Sequence, residues 1–186
     1  MSHTQVRLAV VIGSVRPERF GPTVADWFVE QTQHRDDVQV DLVDLAADAT
    51  GSPPTEQPPG LAHRLAAADA FVVVTPEYNH SYPAALKNMI DSHGREFHAK
   101  PVAFVSYGGL SGGLRAVEHL RPVFAELHAV TTRDTVSFHG GWKQFDGAGQ
   151  PKDPAAPAAA AGRLLDQLTW WARALQAAKA TSPYPA

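Results

Sequence analysis

Three short stretches hold the side chains of this chain that are best suited to chemistry. Gly13-Ser14-Val15-Arg16-Pro17-Glu18-Arg19-Phe20-Gly21 combines a hydroxyl with two guanidinium forks, groups that match a phosphate. Thr75-Pro76-Glu77-Tyr78-Asn79-His80-Ser81-Tyr82-Pro83 sets a carboxylate, an amide, an imidazole and two phenols side by side. Tyr107-Gly108-Gly109-Leu110-Ser111-Gly112-Gly113 contains Gly-x-Ser-x-Gly, and Asp134 and His139 follow it in the chain order that α/β-hydrolases use. There is no cysteine, which excludes disulfides, thiolate catalysis and zinc–thiolate sites, so redox chemistry needs a bound cofactor. Nine histidines raise the question of a metal, but His93 with His98 and His119 with His128 lack ligand spacing, and scattered surface histidines are the simpler reading.

Each stretch follows an apolar run. Val6 to Ile12, Ala70 to Val74 and Pro101 to Ser106 are nearly continuous in apolar and β-branched residues, as strands buried on both faces are. Val38 to Leu45 alternates at first and predicts a strand near a sheet edge; Val130 to Phe138 predicts a fifth strand. Helices are expected from about Pro22 with Val24, Trp27 and Phe28 on one face, over Leu61 to Ala68, over Pro83 to Asp91, and over Leu114 to Leu127. Pro122 implies a kink or break in the last of these. The alanine-rich tail from Pro154 to Ala178 carries Leu164, Leu165, Leu168, Trp171 and Leu175 as one apolar stripe. Gly51 to Gly60 is proline-rich and is expected to be a loop inside one domain spanning residues 1–186. The alternation of strands and helices predicts a flavodoxin-like α/β three-layer sandwich, with a five-stranded parallel sheet in the order 2-1-3-4-5. Its switch point lies between the first and third strands, so the first two stretches would meet at one crevice.

The first stretch opens a helix, where free N–H groups and the helix dipole favour an anion. It is neither a nucleotide P-loop nor Gly-x-Gly-x-x-Gly, and a solvated turn is the competing reading. In the third stretch Gly108-Gly109 lengthens the turn and removes Ser111 from a tight nucleophile elbow. A hydrolase would also leave the other two stretches unused. His80 suits a proton donor or a solvated surface group. Ser81 suits a helix cap or a ligand contact, and Glu77 and Tyr78 also suit packing or subunit contact. Trp27, Trp170 and Trp171 are expected in core or interface, while Trp142, in the polar stretch Gly140 to Asp153, has no evident place.

Pro76-Glu77-Tyr78-Asn79, followed by Ser81-x-Pro83-x-x-Leu86-Lys87-Asn88-x-Ile90-Asp91, closely resembles the flavin-binding signature of the NADPH-dependent FMN reductases. Gly13-Ser14-x-Arg16 resembles that family's phosphate loop, and Ser106-x-Gly108-Gly109-x-x-Gly112-Gly113 its third loop; the likeness runs over about residues 6–138. Many members carry serine where Arg19 stands, and glycine is frequent where His80 stands. The resemblance implies that Ser14, Arg16 and Arg19, with Phe20 and Gly21, hold the FMN phosphate. It implies that Pro76, Glu77, Tyr78, Asn79 and Ser81, with Ser106, Gly108 and Gly109, hold the flavin ring, largely through backbone groups. The activity it implies is transfer of hydride from NADPH or NADH to flavin N5, then of electrons to a small-molecule acceptor such as free flavin, a quinone, an azo compound or a metal oxyanion. No catalytic side chain is then needed. A homodimer or homotetramer is implied too, with residues around Tyr78, Tyr82 and Met89 at its interface. The alternatives are a serine hydrolase using Gly109, Ser111 and Gly113, a flavin-binding module without turnover, and a one-electron carrier, which would usually be more acidic than this chain's −3.

That charge gives no global basic field for nucleic acid or anionic lipid. The apolar runs are too short for a membrane span and the N-terminus does not read as a secretory signal, so cytoplasmic residence is expected. The glycosylation sequon Asn79-His80-Ser81 then reads as accidental.

Overall fold

The computed structural model describes residues 5–46 and 60–185, so most of the proline-rich loop lies outside the described residues. Strands β1 (Val6–Ile12), β2 (Val38–Asp44), β3 (Ala70–Pro76), β4 (Pro101–Gly108) and β5 (Val130–His139) form one parallel sheet in the order β2-β1-β3-β4-β5. Between and after them run α1 (Gly21–Thr32), α2 (Leu61–Ala67), α3 (Ala84–Ser92), α4 (Leu114–Glu126), a four-residue α5 (Gly141–Gln144) and α6 (Ala155–Thr181). A 3-10 turn, Arg95–Phe97, precedes β4; it and α5 carry no periodic pattern that sequence reasoning could use.

Strand side chains alternate between faces, and here both faces are covered. Val10, Val72 and Val105 pack on one side with Trp27, Phe28, Leu164, Leu165 and Leu168 from α1 and α6. Val11, Val73 and Phe104 pack on the other with Leu65, Leu86, Met89 and Phe124 from α2, α3 and α4. Burying each such side chain contributes roughly 1.5–3 kcal/mol, which is why the central strands read as unbroken apolar runs. Met89 is buried in this core.

Three expectations need correction. Helix α4 runs unbroken through Pro122, because only one helical hydrogen bond is lost while Ala116, Val117, Leu120 and Phe124 anchor both sides of the proline on the sheet. Arg121 adds bonds to the carbonyls of Thr132 at 2.7 Å and Arg133 at 3.2 Å. On α6 the stripe turns toward Ala161 and Ala172, so Leu175 is half-buried and Trp171 exposed. Trp170 is exposed as well, whereas Trp27 is core. Strands β3 and β4 also run on past their apolar runs, through Pro76 and Gly108, and carry the site residues on rigid backbone.

Candidate functional site

The chain leaves β1 for α1 on one face and β3 for α3 on the other, so the two connections part at the carboxyl ends of the strands. Gly13 N–H donates to Val74 O at 2.9 Å and joins the two strand ends. At Gly21 a side chain would start 2.9 Å from Ile12 Cγ2 and 3.0 Å from the Tyr107 hydroxyl, so glycine is needed to seat α1 against the sheet. No side chain caps α1, and Pro22 in its first turn has no N–H to satisfy. Ser14 is fully buried, with Oγ 2.5 Å from the Tyr78 hydroxyl; whichever donates, the other hydroxyl keeps its proton for a further acceptor. The Arg16 guanidinium stacks 3.7 Å above the Tyr78 ring and makes no ion pair among the described residues. Arg19 forms a close ion pair with Asp44 of β2. Two buried polar atoms beside it, Arg19 Nε and the Tyr107 hydroxyl, have no hydrogen-bond partner among the described residues, and burial pushes the Tyr107 phenol well above its ordinary pKa.

After β3 the chain makes a tight turn, with Tyr78 and Ser81 exchanging backbone hydrogen bonds of 2.8 and 3.0 Å. Asn79 (φ 49°) and His80 (φ 73°) both take the left-handed conformation, as the centre of a type I′ turn requires. Asparagine is at home there; histidine costs roughly 1 kcal/mol against glycine. Ser81 does not cap α3: its Oγ hydrogen-bonds to His119 Nδ1 of α4 at 2.9 Å. The Glu77 side chain, 10% exposed, accepts a short hydrogen bond from Ser111 Oγ and one from Arg115 Nη1 at 3.1 Å. Burial works to raise its pKa, but Ser111 and Arg115 outweigh that and hold the carboxyl below its ordinary value. Glu77 is thus an ionised tie between the loops after β3 and β4.

The loop after β4 is folded back on itself. At Gly113 (φ 89°) a side chain would start 2.7 Å from Ser106 Cβ, so the turn requires glycine. Ser106 is fully buried and donates to Gly112 O at 2.9 Å, as does Ser137. Ser106 therefore supports the loop from beneath. The hydrolase constellation is not assembled. Ser111 donates to Glu77, and His139 Nδ1 donates to Leu110 O at 3.0 Å. Asp134 pairs with Arg133 and Arg163 and stands five residues before His139 on one strand, roughly 16 Å away.

Of the residues singled out in sequence, Ser14, Arg16 and Tyr78 are in direct contact, and Arg19, Phe20 and Gly21 build the floor beside them. Phe20 packs edge-on against Tyr107 at 5.8 Å and Phe145 at 5.1 Å. Pro76 pairs with Tyr107, Glu77 lies against Gly108, and Asn79 is exposed at the turn. Tyr107, Asp44, Arg115, His119 and Trp142 also shape the site; nothing in their spacing marks them. Among the described residues no group of three or more His, Asp or Glu is placed to hold a metal ion, and no helix is long and apolar enough to cross a membrane. A cavity of about 770 Å³ opens along β5 between α4 and α6, but its Arg121, Arg133 and Arg163 already face Glu118 and Asp134.

The model of the NADPH-dependent FMN reductase family matches residues 6–143. This chain belongs to that family. It is 38% identical over 120 residues to an NAD(P)H-dependent FMN reductase of Schizosaccharomyces pombe, an alignment covering 58% of this chain and 60% of that protein. It is 31% identical over 147 residues to an NAD(P)H-dependent FMN reductase of Saccharomyces cerevisiae (66% of this chain, 75% of that one). Against a quinone reductase of Escherichia coli it is 32% identical over 139 residues (68% and 73%). The FMN reductase fold agrees with solved structures. The flavoenzyme NAD(P)H:(acceptor) oxidoreductase FerB of Paracoccus denitrificans superposes with a TM-score of 0.69 at 21% identity, over 91% of this chain and 98% of that one. A flavodoxin of Streptococcus pneumoniae gives 0.57 at 14% identity, over 88% and 99%. The flavodoxin-like fold expected from the alternation of elements is the observed one.

Proposed function

We propose that this member of the family is an FMN-dependent NAD(P)H oxidoreductase delivering electrons to a small-molecule acceptor. One observation carries the reading: an uncapped helix N-terminus meets two buried polar atoms, Tyr107 Oη and Arg19 Nε, that have no hydrogen-bond partner among the described residues, beside Ser14 and an Arg16 that makes no ion pair among them. That donor set fits the phosphate end of FMN. When bound, FMN supplies the redox chemistry, taking hydride from NADPH or NADH and passing electrons on.

In this reading Ser14, Arg16, Arg19 through its Nε, and the first amides of α1 hold the phosphate, with Arg19 fixed by Asp44 and with Phe20 and Gly21 shaping the floor. Pro76, Glu77, Tyr78, Asn79 and Ser81 flank the ring from one side; Gly108 and Gly109, braced by Ser106, flank it from the other. Glu77 holds these two loops at a set spacing and, being ionised, has no proton to donate. The chain acts as one FMN-binding domain over residues 1–186, in the cytoplasm, as a homodimer or homotetramer without nucleic-acid or membrane partners.

The test is the visible spectrum of the purified protein loaded with FMN, then anaerobic addition of NADPH and of NADH. Bleaching supports the proposal. A yellow protein that neither nucleotide bleaches would be a carrier or binding module, and a protein that takes up no flavin overturns the reading.

A further inference from the structure

Trp142 is 58% exposed, yet it is not on a loose loop. Gly140 N–H donates to Gly109 O at 2.8 Å and His139 Nδ1 to Leu110 O at 3.0 Å, so the start of α5 is fastened to the loop after β4. On the far side of α5, Phe145 is buried against Phe138 at 4.8 Å and Phe20 at 5.1 Å. The indole is thus held out toward water by fixed backbone at both ends of its helix. Its Cη2 lies 4.0 Å from the point where a side chain on Gly109 would begin. That is ordinary contact distance, so the ring lies directly beside the Gly109 backbone. Leu110, next in the chain, is 87% exposed. Exposed apolar residues scattered singly need no explanation; two carried on segments that are hydrogen-bonded to one another beside a ligand crevice do.

The polar groups of the same loop are already engaged. Ser111 and Arg115 are committed to Glu77, and His139 to Leu110 O. What the loop offers to an incoming molecule is an indole and an isobutyl group. Such a surface attracts flat conjugated rings by stacking and apolar burial. A hydrated multivalent anion gains less there, because the face of an indole and an isobutyl group cannot replace its water and the nearby Arg115 is already paired with Glu77. Lys143, exposed on the next position of α5, is the nearest group on that helix that could serve an anion.

We infer that Trp142, with Leu110, is the acceptor platform of the site and selects planar aromatic acceptors of the quinone class over compact oxyanions. The inference rests on the function proposed above, which places the flavin ring along Gly108 and Gly109.

The experiment begins without turnover. Oxidised, FMN-loaded protein is equilibrated by dialysis with 2-methyl-1,4-naphthoquinone and no reductant, for the parent, Trp142→Phe and Trp142→Ala. Trp142→Ala should weaken quinone binding about tenfold, and Trp142→Phe, which keeps a stacking ring, should stay within about threefold. In steady state with NADPH, the ratio of kcat/KM for the naphthoquinone to that for chromate should fall about tenfold in Trp142→Ala and stay near the parent's in Lys143→Gln. Equal quinone affinity in parent and Trp142→Ala overturns the platform, as does an unchanged ratio. A smaller mass of Trp142→Ala in light scattering also overturns it, since the indole would then be a subunit contact. If the parent itself is not reduced by either nucleotide, the underlying function fails, and the platform with it; intact reduction with unmoved quinone affinity removes the platform alone.

Discussion

Replacing Arg16 by alanine separates the phosphate from the ring. Arg16 is exposed, has no ion-pair partner among the described residues and touches the fold through the Tyr78 ring at 3.7 Å. An exposed cation–π contact is worth about 0.5–1 kcal/mol, so the substitution should leave folding nearly intact. A charge-assisted hydrogen bond to phosphate contributes roughly 1.5–3 kcal/mol, so FMN affinity should fall on the order of 10- to 100-fold. Riboflavin carries the same ring without the phosphate, and its affinity should change by less than about threefold. Quenching of flavin fluorescence by parent and Arg16→Ala, with each ligand in turn, measures both. FAD should bind more weakly than FMN to the parent, because its second phosphate and adenosine must leave a pocket shaped for a terminal phosphate. If Arg16→Ala lowers FMN and riboflavin affinity equally, the phosphate assignment is wrong and the account of the first loop falls with it.

Ser111→Ala removes a donor to Glu77 and no nucleophile, so NADPH-dependent reduction should stay within about tenfold of the parent; an esterase activity of the parent that vanishes in Ser111→Ala would contradict the geometry. His80→Gly relieves a left-handed histidine and should stabilise the protein by about 1 kcal/mol, a rise of roughly 2–4 °C in Tm by calorimetry; a fall in Tm would mean that His80 makes contacts worth more than the strain. Burial lowers the pKa of Lys100 to about 8, while its Nζ donates to the carbonyls of Leu65 and Ala66 at the end of α2. From about pH 8 to 10 the unfolded chain retains a proton that the native chain has released, so stability should rise with pH in that window. Above pH 10 the raised pKa of Tyr107 reverses the trend, because the native chain then holds the extra proton. Urea unfolding at several pH values should show the rise in the parent and not in Lys100→Met; equal slopes would refute it.

The architecture was legible because a parallel strand covered on both faces must be apolar at nearly every position, and Leu8 to Ile12, Ala70 to Val74 and Val102 to Val105 are. Alternation with helices of core-facing spacing then leaves few topologies. The switch-point rule brings Ser14 and Tyr78, 64 residues apart, to one crevice, and their hydroxyls do meet. The turn lengthened by Gly108-Gly109, and the two loops a hydrolase would leave unused, separated this crevice from a hydrolase's as well. Each of these inferences uses local spacing or topology, which one chain carries in full.

What spacing does not carry is the choice among partners once the loops pack. Ser111 has Gly-x-Ser-x-Gly around it, but its hydrogen bond goes to Glu77, 34 residues earlier, because the loops after β3 and β4 close on each other. Ser81 suits a cap in sequence, yet His119 of α4 takes its hydroxyl. Pro122 is a helix breaker locally, but burial on both sides of it outweighs one missing hydrogen bond. Tyr107 lies in a stretch whose visible pattern is its glycines, and only the seating of α1 at Gly21 buries its hydroxyl with no partner among the described residues. Trp142 has no pattern around it at all; two bonds from the neighbouring loop decide that it faces water beside Gly109. The sequence alone determines the sheet, its order and the crevice, because burial of apolar surface acts on every residue and sums along the chain. The tertiary structure decides which polar atoms in that crevice are satisfied and which are left for a ligand, because each hydrogen bond depends on one distance that only the packed loops define.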